Sequence, residues 1–237
     1  MSLSDLFSRR RKDESDAADS GRDSPVHPTK ALAKFLSSLS LNARPQPLLL
    51  DLGPVVGTNV TFFGEELGCK ILVENVFKDI DRHVSEGKLE ELPTFFGKRF
   101  SQEEGSLDGI LCWDLFDYIE RPAAQALARH LVGILRPDGV LLAQFNTAEP
   151  RAAGGPTYTK YVVVDRQTLQ YRAYAAARGK QRPLVNRDIQ RMFEPLRITE
   201  QFLLKNNLRE VLFRKPAASQ PRSGEGGPAS PAESPTK

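Results

Sequence analysis

The sequence predicts an α/β protein built on a mostly parallel sheet. Apolar strand-type runs alternate with helical patterns over about 100 residues from Leu48 onward, the signature of crossover connections. One run, Leu48-Leu49-Leu50-Asp51-Leu52, passes through Gly53 and Gly57 straight into a helical pattern. Near the end, two apolar runs at 198–204 and 208–213 flank Asn206-Asn207, a turn that joins antiparallel strands.

Taken in order, residues 1–28 read as a disordered arm. Arg9-Arg10-Arg11-Lys12 is followed by Asp, Glu, Ser and Gly with almost nothing to bury. Leu3, Leu6 and Phe7 offer a weak amphipathic anchor. A helix starts at Thr29, whose hydroxyl can cap it, with Leu32, Phe35, Leu36 and Leu39 forming one apolar stripe. Residues 48–52 form the first strand, apolar throughout as a strand covered on both faces should be. A crossover helix over 59–67 is stopped by Gly68, and a second strand at 70–74 ends in Glu74. A helix over 76–84 follows, and a short third strand is expected near 93–96. The next strand, 107–113, leads out through Asp114. Ala124, Leu127, Ala128, Leu131 and Leu135 then mark a helix that Pro122 opens and Arg136-Pro137-Asp138-Gly139 ends. Residues 140–145 are another strand. Two Val/Tyr-rich runs, 161–165 and 169–174, pair as an inserted hairpin spanning about 157–175. Asn186 can cap a helix carrying Ile189, Met192, Phe193 and Leu196. From Pro216 the chain is dominated by Pro, Ser, Gly and Ala, read as a disordered tail at 216–237. The folded domain is therefore expected over 29–215.

Composition narrows the function classes. With 237 residues the chain suits one sizeable core. No apolar run approaches the roughly 20 residues of a membrane helix. The formal charge of +3 gives no strong nucleic-acid signal. The stretch from Arg178 to Lys215 holds ten Lys/Arg against four Asp/Glu, an uneven distribution that most simply forms a solvated face. Cys69 and Cys112 lie in or beside buried strands without metal-ligand spacing, as reduced structural thiols in a cytoplasmic protein do.

The strand, acid, glycine turn and helix at 48–59 resemble motif I of the class I S-adenosylmethionine-dependent methyltransferases, with Val55 where that family's middle glycine falls. The segment Gly105–Ile119 resembles the family's fourth-strand block, and Leu135-Arg136-Pro137-Asp138-Gly139 its turn into the fifth strand. Together these cover roughly 48–213. The resemblance implies a three-layer Rossmann-like methyltransferase fold, its mostly parallel sheet closed by an antiparallel C-terminal hairpin. It also implies S-adenosyl-L-methionine as cofactor and methyl transfer to a small-molecule substrate.

The site residues follow from the same resemblance. Asp51, Gly53 and Gly57 would wrap the amino-acid portion of the cofactor, and Glu74 would accept both ribose hydroxyls, which a carboxylate can do. Asp51 reads otherwise as a turn acid, and Glu74 as an ordinary strand-end carboxylate. Trp113 and Asp114 emerge at the carboxyl end of a strand, where open α/β sheets bind ligands. Asn146 at the same mouth and Tyr158 in the inserted hairpin are the substrate-binding candidates, with Lys160 and Arg172 nearby. A β-branched Val55 is penalised if its backbone must take positive φ. No acid–base set stands out: Asp114, Asp117 and Tyr158 are candidates, while His83 and His130 read as packing or surface residues. Methyl transfer needs no base unless the nucleophile must lose a proton, because positioning and desolvation carry much of the barrier. Two other readings compete, a methyltransferase-like module that binds without catalysing and a nicotinamide-dependent oxidoreductase. The latter requires G-x-G-x-x-G, and Val55 and Val56 interrupt it.

Overall fold

The structure, a computed structural model, describes residues 24–41, 44–149 and 155–217. The Arg9–Lys12 cluster, the apolar residues before it and the C-terminal tail lie outside the described residues. The elements are β1 (Val26–Pro28), α1 (Ala31–Leu41), β2 (Leu48–Asp51), α2 (Gly57–Thr61, continued by a π-helical turn at Phe62–Glu66), β3 (Lys70–Val73) and α3 (Val76–Ser85). There follow α4 (Leu92–Phe96), β4 (Leu107–Trp113), α5 (Arg121–Ile134), β5 (Leu135–Asn146), β6 (Thr157–Asp165), β7 (Thr168–Ala175), α6 (Asn186–Met192), β8 (Arg197–Leu203) and β9 (Leu208–Arg214).

Six strands form the main sheet in the order β3-β2-β4-β5-β9-β8. The first four are parallel, β9 runs against β5, and β8 runs against β9. This is the predicted mostly parallel, Rossmann-like sheet, closed by its antiparallel hairpin. Side chains alternate between the two faces along each strand. Leu50, Ile110, Cys112, Leu141 and Phe145 pack under α3, α5 and α6; Leu49, Leu111, Val140 and Leu142 pack against α1 and the π-helical turn. Gly109 lets α1 sit this close: a Cβ there would lie 2.8 Å from Leu39 Cδ2 and 2.9 Å from Phe35 Cζ.

The expected third strand near 93–96 is instead α4. Leu92 and Phe96, four apart, are both buried, and Pro93 sits in the first turn, so the segment buries a helical stripe rather than an alternating face. Asn186 is the first residue of α6 rather than its cap, which is Val185. The inserted hairpin is three-stranded, because β1 adds to β7 through Val26↔Gln170 and Pro28↔Thr168. The last residues of the expected disordered arm thus belong to a sheet, and His27 stacks on Tyr171 at 4.3 Å. Thr29 Oγ1 accepts the Leu32 N–H at 3.3 Å, the expected cap. A second cap comes from far along the chain. The fully buried Glu210 on β9 accepts the N–H groups of Lys30 and Ala31 at 2.8 and 2.9 Å and the Thr29 hydroxyl. A carboxylate at a helix N-terminus meets both its free N–H groups and its dipole.

Candidate active site at the carboxyl edge of the sheet

The parallel strands β2, β4 and β5 end at Asp51, Trp113 and Asn146, and Glu74 directly follows β3. The Glu74 N–H donates to the Asp51 carbonyl at 2.8 Å, which fixes the tip of β3 beside the loop after β2. In that loop neither glycine takes positive φ, and Val55 does not either. The anticipated penalty on a β-branched residue therefore does not arise. Val55 is 65% exposed and points away from the sheet's core.

Beneath the loop lies a tight contact. Asp51 is buried, and its Oδ1 accepts the Gly53 N–H at 2.9 Å and the Trp113 indole N–H at 2.7 Å. Burial raises the Asp51 pKa to about 6, although both donors pull it down. The indole lies so close that a Cβ on Gly53 would be 3.0 Å from Trp113 Cδ1. Trp113 has φ 49°, a left-handed backbone costly for a bulky residue. Its ring stacks on Tyr161 of β6 at 5.1 Å, with only 4° between the planes. Asn59 in the first turn of α2 pins β6 there, donating to the Tyr161 carbonyl and accepting the Val163 N–H, each at 2.8 Å. The small sheet thus lies over the end of β4.

Glu74 keeps a side chain 32% exposed, and its Oε2 pairs with Arg99 Nη2 at 2.9 Å. Arg99 Nε holds Asp79 at 2.8 Å. A cavity of about 640 Å³ opens beside this pair, lined by Arg82, His83, Phe95, Lys98 and Arg99 among others.

Asp114, the next residue after Trp113, has partners of its own. It is fully buried, and its Oδ2 binds Lys180 Nζ at 2.8 Å and accepts the Tyr118 hydroxyl at 3.3 Å. Asp117 Oδ2 accepts the Asn146 N–H at 2.8 Å and lies 3.4 Å from Lys180 Nζ. Burial drives the Asp117 pKa up to about 7, with Lys180 opposing and Asp114 adding to the rise. Tyr158 is buried, donates its hydroxyl to Asp81 at 2.7 Å, and packs among Phe77, Tyr118 and Tyr174. The Asn146 side chain donates to the Ala148 carbonyl.

The fold therefore gathers Asp51, Gly53 and Trp113 into one contact, sets Glu74 against it through the main chain, and leaves Gly57 opening α2 with free space around it. Asp114, Asn146 and Tyr158 belong to a second cluster around Asp117, Tyr118 and Lys180. Lys160 lies over the Tyr174 ring, and Arg172 is held by Gln170. His83 and His130 bond to the carbonyls of Asp79 and Gly97 and pack on Phe95 and Phe100. Sequence reasoning missed Arg99, Asn59 and Lys180. The available signal for Lys180 was the local basic excess, which read as a solvated face.

No protein-family model matches the chain, and no curated protein matches it in sequence. Solved structures resemble it at low identity. One is the Burkholderia thailandensis 1,6-didemethyltoxoflavin-N1-methyltransferase with 1,6-didemethyltoxoflavin and S-adenosylhomocysteine bound, at 13% identity and TM-score 0.47, over 90% of this chain and 86% of that one. Another is a TehB-like SAM-dependent methyltransferase from Corynebacterium glutamicum, at 14% identity and TM-score 0.45, over 90% and 97% of the two chains. A third is the CcbJ methyltransferase from Streptomyces caelestis, at 11% identity and TM-score 0.44, over 78% and 94%. The strand order and pairing of this chain are those of an α/β protein with a mostly parallel, Rossmann-like sheet.

Proposed function

We propose that the chain binds S-adenosyl-L-methionine at the carboxyl edge of β2 and β3 and transfers its methyl group to a small-molecule acceptor. The observation that carries this reading is Glu74. It is a partly exposed carboxylate at the tip of β3, fixed through its own N–H to the end of the strand that feeds the glycine turn. Glu74 fits a ribose diol, and the N–H groups opening α2 beyond Gly57 suit the polar end of the ligand. Bound there, the cofactor supplies a methyl group already activated on a sulfonium. The protein's own residues then have to position the acceptor and exclude water. Two free, buried cysteines support a cytoplasmic location.

A second reading, a module of this fold that binds without catalysing, is favoured by Trp113. Its indole takes up the Asp51 carboxylate that would face the cofactor's ammonium, and it lies against Gly53. Calorimetric titration of the full chain with S-adenosylhomocysteine separates the two readings. Saturable heat supports the first, and no heat at millimolar ligand moves the assignment to the second.

A further inference from the structure

Just past the end of β4 lies a buried charge cluster whose balance is incomplete. Asp114 and Asp117 share a single ammonium, that of Lys180, at 2.8 and 3.4 Å. Asp114 is fully buried, and its second carboxylate oxygen has no hydrogen-bond partner among the described residues. A buried carboxylate oxygen without a donor is costly and calls for one. The Tyr118 ring faces the same ammonium at 5.3 Å, a cation–π contact, while the Tyr118 hydroxyl donates to Asp114. Lys180 reaches this position from the half-buried segment 176–185, which is tied down where the Gln181 N–H donates to the Asp117 carbonyl at 2.6 Å. Two acids, an aromatic face and a spare acceptor are the parts of an ammonium receptor, and the chain's own lysine sits in it.

We propose that Asp114, Asp117 and Tyr118 form a binding site for an alkylammonium group, with Lys180 as its internal occupant, so that the acceptor of the proposed methyl transfer is a primary amine. This rests on the functional reading above only in naming the amine as the acceptor; the receptor stands on its own geometry. The incoming ammonium takes the place of Lys180 between the carboxylates and gives the unpartnered oxygen of Asp114 a donor. For its nitrogen to become a nucleophile, the ammonium must lose one proton. The Asp117 carboxylate is placed to accept it, breaking one N–H bond, forming one O–H bond and leaving a neutral amine beside a neutral carboxyl.

The test uses Lys180→Met, which keeps the unbranched stem, shortens the side chain by one heavy atom and removes its charge. The melting temperature of this variant should rise with n-butylammonium chloride in a concentration-dependent way, and the midpoint should fall about tenfold below that of the unmodified chain. Sodium chloride and n-butanol should do neither, and adding Asp114→Asn should abolish the response. N-acetyl-lysine methylamide, run in parallel, distinguishes a lysine side chain from a free amine as the source of the ammonium; a response to either supports the receptor. Should Lys180→Met not fold, amide exchange at Gln181 in the unmodified chain gives the same information. Exchange should quicken with n-butylammonium as Lys180 is displaced. No melting response to either amine, or unchanged exchange at Gln181, overturns the proposal. Titrating the same proteins with S-adenosylhomocysteine keeps the two ideas apart. Amine binding without nucleoside binding sinks the methyl-transfer reading alone, and the reverse sinks the ammonium site alone.

Discussion

The indole N–H of Trp113 donates to the carboxylate of Asp51 at 2.7 Å and so ties the ends of β4 and β2 together across the mouth of the glycine loop. Trp113→Phe keeps most of the ring and removes the donor, leaving a buried carboxylate with the Gly53 N–H alone. Such a loss costs about 1–3 kcal/mol. Urea unfolding should show that decrease. Trp113 is the chain's one tryptophan, so its emission in the parent protein reports this contact directly.

Gly53 and Gly57 should part company under the same substitution. A Cβ at Gly53 meets the Trp113 indole at 3.0 and 3.1 Å and Asp51 Oδ1 at 3.1 Å, whereas a Cβ at Gly57 meets nothing within 4 Å. Gly53→Ala is therefore expected to shift the tryptophan emission and lower the melting temperature. Gly57→Ala, in the first turn of α2, should leave emission unchanged and be neutral or stabilising by up to about 1 kcal/mol.

Two buried acids set a pH dependence. Asp51 and Asp117 have pKa values raised from 3.8 to about 6 and about 7 in the folded chain. Between the unfolded and folded values the folded state holds protons that the unfolded chain has lost, so stability from these groups falls as pH rises through that window. Above about 7 their contribution is flat. Melting temperatures of the parent and of Asp117→Asn, measured from pH 4.5 to roughly 8.5 across this linkage window, should differ in slope. The parent should lose stability, on the order of a few kcal/mol, that the variant does not. Parallel curves would contradict the burial of Asp117.

Glu210 should matter more than its place in a strand implies. It satisfies the start of α1 at Lys30 and Ala31 and takes the Thr29 hydroxyl, with Gln144 Nε2 at 3.3 Å. Glu210→Gln removes the charge and turns one acceptor into a donor facing N–H groups. A loss of about 1–3 kcal/mol is expected, with faster amide exchange in α1 than elsewhere.

The sheet was legible because its information is local. Each strand from Leu48 to Phe145 contains a short apolar run, and Asn206-Asn207 announces the closing hairpin, where Asn207 indeed takes φ 59°. Long-range pairings were not legible. Val26–Pro28 looks polar and isolated until Thr168–Gln170 arrives beside it. Residues 93–96 were misread because Leu92 and Phe96, the pair that makes them helical, straddle the short window. At the site, the sequence pointed to Asp51, Gly53, Glu74 and Trp113 but gave no sign that Trp113 would bind Asp51 or that Arg99 would hold Glu74. Side-chain partners chosen across 62 or 25 residues leave no periodic trace.

The most direct measurement is the affinity of the full chain for S-adenosylhomocysteine with and without the Glu74 carboxylate. Removing an acceptor of two charge-assisted hydrogen bonds should weaken binding at least about tenfold. Glu74 is partly exposed and, among the described residues, its side chain pairs with Arg99 alone, so Glu74→Ala should fold as the parent does. Saturable binding in the parent, with that loss in the variant and an unchanged melting temperature, is the predicted result. Equal affinity in the two proteins would contradict a nucleoside held at the tip of β3.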